Sequence, residues 1–187
     1  MAMNLVFLLE EPSAKQVLDT LLPKLLPSDV SFLTIKHHGK DDLRQSLPRK
    51  LRNWKTPDTR FVVLHDQDNC DCEVLKAELQ ELCRQAGRND TVIRIVCQEL
   101  EAWYFGDLAA VERAFPGHRL QQLAEKSAYR DPDAIVKPSD RLEDLIPGFY
   151  KGVGAKTIPQ HMDIERNRSR SFQVFIQAVR RLCNTAE

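Results

Sequence analysis

Acidic side chains follow three apolar, β-branched runs of the sequence at the point where each run ends. They are Glu10 after residues 5–9, Asp66 and Asp68 after residues 61–64, and Glu99 and Glu101 after residues 92–96. Such runs predict buried strands of a parallel sheet, and ligands of these sheets bind outside the carboxyl ends of the strands. Clustered carboxylates repel one another unless a cation lies between them. The spacing therefore predicts a divalent-cation site, with Mg²⁺ expected and Mn²⁺ as the alternative.

The motif Asp66-Gln67-Asp68 is the sharpest feature of this set. In an extended segment, residues i and i+2 point to the same side, so both carboxylates can face one cation. Glu10 would add a third ligand, and Glu101 would add a fourth or hold a second ion. Glu99 stays open as the alternative to Glu101. The competing interpretation is that these acids lie at helix N-termini, where negative charge is favoured.

Several basic and histidine side chains are candidates for completing such a site by holding phosphate or accepting a proton. They are His38, Lys40, His65 and Lys137. His65 directly precedes Asp66 and would point to the opposite side of a strand, which predicts a core or supporting histidine. Lys137 is the candidate for binding phosphate.

A second basic group lies near the end of the chain and could follow a phosphate backbone. Its members are Lys151, Lys156, Arg166, Arg168 and Arg170. A basic loop before a helix can bind phosphate at the N-terminus of that helix, which favours Arg168 and Arg170 as substrate-binding residues. Lys40 and Lys151 are the other candidates for binding substrate. The alternative is that these side chains form solvated charged faces.

The elements that must position these residues alternate between strand and helix signals. Strands are predicted at 4–10, 30–35, 60–65 and 91–97, and helices at 12–26, 41–54 and 72–86. Pro23 is expected to kink or end the first helix, and Pro48 to interrupt the second. Beyond Glu101 only helices and loops are predicted. The expected fold is α/β: a four-stranded, mostly parallel, Rossmann-like sheet with helices on both faces (1–106) and a helical C-terminal part packed on it (107–187).

Composition limits the class of protein further. The 187 residues suit one domain, and 27 Lys plus Arg against 27 Asp plus Glu give a formal net charge of zero. A strongly basic nucleic-acid binder is not expected overall, although local patches decide affinity. The 5 cysteines are odd in number and lack CxxC spacing, which predicts reduced thiols. The apolar start is too short to span a membrane, so a cytoplasmic protein is expected.

Three of these segments resemble the toprim domain, the α/β metal-binding fold of primases, topoisomerases and the overcoming-lysogenization-defect nucleases. They are Leu9-Glu10-Glu11-Pro12-Ser13, Asp66-Gln67-Asp68 and the later glutamate. The chain is most similar to a bacterial toprim-like family of unassigned function, which shares segments along nearly its whole length. These are Arg94, Glu99-Leu100-Glu101-Ala102-Trp103-Tyr104, Lys137-Pro138-Ser139, Tyr150-Lys151 and Ser169-Arg170-Ser171-Phe172.

The resemblance implies that Glu10 is the toprim glutamate and that Asp66 and Asp68 are the DxD pair. The common motif places glycine after the glutamate, where this chain has Glu11, so Glu10 alone or both residues could face the metal. The implied activity is Mg²⁺-dependent phosphodiester cleavage of nucleic acid, DNA or RNA, by an effector of bacterial defence against phage. Members of that family often lie beside an ATPase gene, which implies an ATPase partner.

Two other functions remain open at this point. The same fold could serve as a non-catalytic binding or regulatory subunit of an ATPase complex, which the neutral net charge favours slightly. It could also form a metal-dependent enzyme that acts on small phosphorylated molecules. A long basic groove beside the acids would favour a polymer, and a closed small pocket would favour a metabolite.

Overall fold

A single four-stranded sheet organises the protein, for which a computed structural model describes residues 3–184. Its strands are β1 (Asn4–Leu9), β2 (Ser31–Lys36), β3 (Thr59–Asp66) and β4 (Val92–Val96). They are all parallel and lie in the order β2-β1-β3-β4. The predicted α/β class is confirmed, and the sheet is wholly parallel. Their carboxyl ends meet at one edge, where Leu9 pairs with Lys36 and Leu64, and Asp66 pairs with Val96.

Alternation along the central strands creates two cores, one on each face of the sheet. Leu5, Phe7 and Leu9 of β1 enter the larger core, whereas Val6 and Leu8 enter the smaller one. The strands are apolar on both sides because both faces are covered by helices, as is usual for parallel sheets.

Three helices connect the strands: α1 (Pro12–Leu25), α2 (Lys40–Asn53) and α3 (Cys72–Gln85). Buried leucines of α2 and α3 line the smaller core, and those of α1 line the larger one. The expectation that Pro48 interrupts the second helix is wrong. Leu47 and Leu51, on either side of Pro48, are fully buried, and packing of an apolar face is what holds most protein helices together.

The second half of the chain is helical. It contains α4 (Ala102–Phe105), α5 (Leu108–Ala114), α6 (Pro138–Leu145), α7 (Lys151–His161) and α8 (Arg170–Asn184), with 3₁₀ turns at Gln121–Glu125, Ser127–Tyr129 and Pro132–Ala134. Helix α7 packs on α1 and α8 packs on β4, and one apolar cluster runs through both halves. In the described part of the chain, no helix is both long and apolar enough to cross a membrane.

Candidate functional site at the carboxyl edge of the sheet

Glu10 is held in place where β1 ends. Its Oε2 accepts a hydrogen bond from the Asp66 backbone N–H at 3.0 Å and lies 3.0 Å from His65 Nδ1. His65 is buried and its Nδ1 also lies 2.6 Å from the Asp66 carbonyl oxygen. Burial alone would raise the pKa of Glu10, but the bonds from His65 and Asp66 outweigh it and lower that pKa. His65 therefore orients Glu10, in line with the supporting role predicted for it.

Asp66 is buried at the end of β3 and lies among other acids. Its Oδ2 accepts a hydrogen bond from the Leu100 backbone N–H at 3.2 Å. Burial, together with the negative charges of Glu11, Glu10 and Glu101, raises the pKa of Asp66 well above its ordinary value. Glu11 therefore lies close enough to Asp66 for its charge to raise that pKa.

Glu101 is fully buried at the start of α4. Neither of its carboxylate oxygens accepts a hydrogen bond from any group within residues 3–184. Its nearest cation is Lys151 Nζ, 3.4 Å from Oε2. Burial raises the pKa of Glu101 to about 7, and Lys151 counters only part of that effect. Burial alone would lower the pKa of Lys151, but the negative charges of Glu101, Glu11 and Glu99 outweigh burial and raise that pKa.

Glu99 shares Lys151 with Glu101. Its Oε2 lies 3.6 Å from Lys151 Nζ and accepts a hydrogen bond from the Ser139 N–H at 3.2 Å, so Glu99 caps α6. The chain turns after β4, with Gln98 in a left-handed conformation (φ 59°), and both acids reach one lysine.

The second aspartate of the DxD motif lies apart from this group. Strand β3 ends at Asp66, and Asp68 has a left-handed backbone (φ 51°), so the motif is not the extended segment assumed from the sequence. The Asp68 N–H donates to the Gln98 carbonyl oxygen at 2.8 Å, which fixes this turn against the one after β4. The Asp68 side chain is partly exposed, with Oδ2 3.9 Å from Lys40 Nζ.

Some of the predicted basic residues lie at the acidic end of the sheet, and the others lie in the helical half. Lys151 lies at the carboxylates, and Lys40 lies beside Asp68 and close enough to Glu10 to lower its pKa. Lys137 is exposed, adopts a left-handed backbone (φ 49°) and has Asp140 at 3.8 Å. Arg168 contacts carbonyls of the helical half, and Arg170 is the exposed first residue of α8. The N-cap of that helix is Ser169, whose hydroxyl oxygen accepts from the Phe172 N–H at 3.1 Å.

The residues that together form the acidic edge are Glu10, Glu11, Asp66, Glu99 and Glu101. Among the residues that the structure describes, no three His, Cys, Asp or Glu side chains are arranged as a formed metal site. The chemistry of the group still fits a hard divalent cation, because these are oxygen ligands and both oxygens of Glu101 lack a hydrogen-bond donor. Asp66, Glu101 and Glu10, with Glu11 beside them, are the residues that could hold such an ion.

One member of the site, Tyr104, is not among the residues predicted from the sequence. The Tyr104 hydroxyl is buried without a hydrogen-bond partner in the described chain. Burial and the charges of Glu101, Glu11 and Asp66 raise the pKa of Tyr104. The spacing of Glu101 and Tyr104, three residues apart at a helix start, was the available signal.

A family model described as "Domain of unknown function (DUF4276)" matches residues 9–180. No curated protein and no solved structure matches the chain. The match covers all four strand ends and most of the helical half, so the acidic edge lies entirely within it.

Proposed function

The chain belongs to the DUF4276 family, and from its acidic edge we propose that it is a Mg²⁺-dependent phosphodiesterase that cleaves nucleic acid. The observation that carries the proposal is the state of Glu101. A fully buried carboxylate without a hydrogen-bond donor in the described chain, close to a second buried acid, is costly unless a proton or a cation neutralises it. Perturbed carboxylates of this kind are concentrated at functional sites.

Asp66, Glu101 and Glu10 are the proposed ligands, with Glu11 adjacent and Asp68 at the Lys40 side of the edge. A bound Mg²⁺ would polarise a phosphoryl oxygen and lower the pKa of a water molecule. The protein keeps two of these ligands in fixed positions: His65 and the Asp66 N–H hold Glu10, and the Leu100 N–H holds Asp66. Fixed ligands of this kind are what an electrostatically organised site requires.

Two other side chains, both lysines, would act directly on the substrate. Lys151 keeps its positive charge because carboxylates surround it, and can attract a phosphate group to the edge. Lys137, two residues before the Ser139 N–H that binds Glu99, remains the second proposed phosphate-binding residue.

The wider role is proposed from the toprim resemblance alone. The protein would act as an effector of bacterial defence against phage, with an ATPase as its partner. Nuclease activity that requires this ATPase would be consistent with both parts of the proposal.

The test is a cleavage assay on labelled single-stranded DNA, duplex DNA, RNA and a mononucleotide, with Mg²⁺, Mn²⁺ or EDTA, with and without a neighbouring ATPase. We expect metal-dependent cleavage of at least one polymer and a loss of about 100-fold or more in Asp66→Asn, since one ligand is neutralised. Asp90→Asn is the matched control, because Asp90 is exposed, precedes β4 at the opposite end of the sheet and pairs only with Arg60 at 3.4 Å. Equal cleavage by wild type and Asp66→Asn would refute the proposed site.

One observation favours a second candidate, a non-catalytic regulatory subunit. Lys151 already lies between Glu99 and Glu101 and partly neutralises them without a metal. That candidate predicts a stable complex with the ATPase, no cleavage under any of the conditions above, and no change in thermal stability on addition of Mg²⁺ or Mn²⁺.

A further inference from the structure

A cleft of about 740 Å³ opens in the helical half of the protein, beside α5 and the loop before α8. Four arginines line it: Arg113, Arg119, Arg166 and Arg168. None of them belongs to the acidic edge. The volume is within the range of pockets that bind small ligands.

Two of these arginines are held by neutral partners. Arg113 Nη2 donates to the His161 carbonyl oxygen at 2.7 Å, and Arg168 donates to the carbonyl oxygens of Ala124 and Tyr129 at 3.2 and 3.4 Å. A carbonyl fixes a guanidinium without cancelling its charge, and a guanidinium has five N–H donors, so most donors stay available. The Arg119 side chain is exposed and makes no hydrogen bond or ion pair within the described residues.

Three carboxylates, Asp107, Glu112 and Glu125, also line the cleft, so with its four arginines the lining has a formal net charge of +1. Asp107 is buried and accepts from the backbone N–H groups of Ala110 and Asp163 at 3.1 and 2.9 Å. Oε2 of Glu112 accepts from the N–H groups of Leu120 and Gln121 at 2.8 and 2.9 Å. Within residues 3–184, Arg166 is the cleft arginine that approaches carboxylates, at 3.7 Å from both Asp107 and Asp163.

We propose that this arginine cleft binds a phosphate-bearing ligand, either a free nucleotide or one segment of a phosphodiester strand. Fixed guanidinium groups bind phosphate through paired, charge-assisted hydrogen bonds. Arg119 and the unused donors of Arg113 and Arg168 are the contacts. The proposal rests on the cleft itself and stands whether or not the acidic edge cleaves nucleic acid.

The experiment measures binding without divalent cations, at low and at moderate salt. A labelled single-stranded oligonucleotide is followed by fluorescence polarisation, and AMP is titrated by calorimetry. Arg119→Glu is the test variant because the Arg119 side chain makes no hydrogen bond or ion pair in the described chain. Arg49→Glu is the matched control, because the side chain of this exposed α2 residue also makes no hydrogen bond or ion pair among the described residues. Helix α2 covers the smaller core, on the other face of the sheet.

We expect wild type to bind and Arg119→Glu to bind about tenfold more weakly or worse, with a shallower dependence on salt, while Arg49→Glu stays within about twofold of wild type. Binding of AMP identifies a nucleotide site, and binding of the oligonucleotide alone identifies a strand site. Equal affinity of the two variants, or no binding of either ligand by wild type, overturns the proposal. Asp66→Asn should retain full binding, which separates failure of the cleft from failure of the acidic edge.

Discussion

Two buried carboxylates lie at the two ends of α4 and have opposite surroundings. The side chains of Glu101, before the helix, and Asp107, after it, are 0% and 1% exposed. Asp107 accepts two backbone N–H groups, whereas Glu101 accepts no hydrogen bond from the described residues. Burial alone therefore does not identify a functional acid. The unsatisfied one is the candidate, since a satisfied one is explained by the fold.

The same contrast applies to the two regions that α4 joins. The acidic edge concentrates carboxylates, and burial together with their mutual repulsion raises the pKa of Asp66. Lys151 is the cation in contact with Glu99 and Glu101. The arginine cleft holds positive groups on neutral carbonyls. In both regions, charged side chains are held in place without being fully neutralised. The short helix α4 separates the two regions.

The largest expected change in stability comes from Glu101→Gln. Because the folded pKa of Glu101 is about 7 against an ordinary 4.5, the folded state resists ionisation and wild-type stability falls as pH rises from about 4.5 to about 7. Above that range the loss of stability is constant. Because glutamine has no charge to bury, Glu101→Gln should raise the free energy of unfolding by about 3 kcal/mol at pH 8 and by almost nothing at pH 4.5, measured by denaturant unfolding in EDTA.

Added Mg²⁺ should reduce the difference in stability between wild type and Glu101→Gln at pH 8, because the ion would stabilise wild type more than the variant. A thermal-shift titration gives that result without any activity measurement. If Glu101→Gln were destabilising at pH 8, the contrast between Glu101 and Asp107 would be broken.

A smaller effect is expected at Gly106, the joint between the two regions. A Cβ there would meet the side chain of Asn167 and come within 2.8 Å of the Ser169 nitrogen. Asn167 cannot yield easily, because it donates to the Trp103 carbonyl oxygen at 2.8 Å and accepts from the Ser169 N–H at 2.9 Å. We expect Gly106→Ala to lower the free energy of unfolding by about 2 kcal/mol.

Gly152→Ala is the control for that variant. Its Cβ would meet only the ring of Tyr150, at 3.4 Å or more, and alanine favours a helix more than glycine does. Chemical denaturation of both variants should show unchanged or slightly higher stability for Gly152→Ala. Equal stabilities would show that the joint is loosely packed.

The smallest expected effect comes from Asp107→Ala. Loss of a side-chain cap costs about 1 kcal/mol in most helices, and here the Asp163 N–H also loses its acceptor. Stability should therefore fall by about 1 to 2 kcal/mol, measured by denaturant unfolding. A gain in stability, like that expected for Glu101→Gln, would show that Asp107 is also an unsatisfied acid.

Pattern alone predicted the alternating strands and helices, the acids at the strand ends and the supporting place of His65. These follow from short-range rules, because a buried parallel strand must be apolar on both faces and neighbouring residues of a strand point to opposite sides. The wrong expectation at Pro48 lies inside a helix, where packing of Leu47 and Leu51 outweighs the local effect of proline. Asp68 and Gln98 both adopt left-handed backbones after strands, so period-two reasoning does not apply to these two turns.

The sequence by itself determined that a parallel sheet forms and that carboxylates follow its strands, because hydrophobic periodicity and strand direction are local properties. Only the tertiary structure decided which carboxylates are buried, that Glu101 accepts no hydrogen bond from residues 3–184, and that Lys151 lies between Glu99 and Glu101. It also decided that arginines spread over residues 113–168 line one cleft. Burial and pairing depend on residues distant in the chain, and the chemistry of an ionisable side chain is set by what surrounds it.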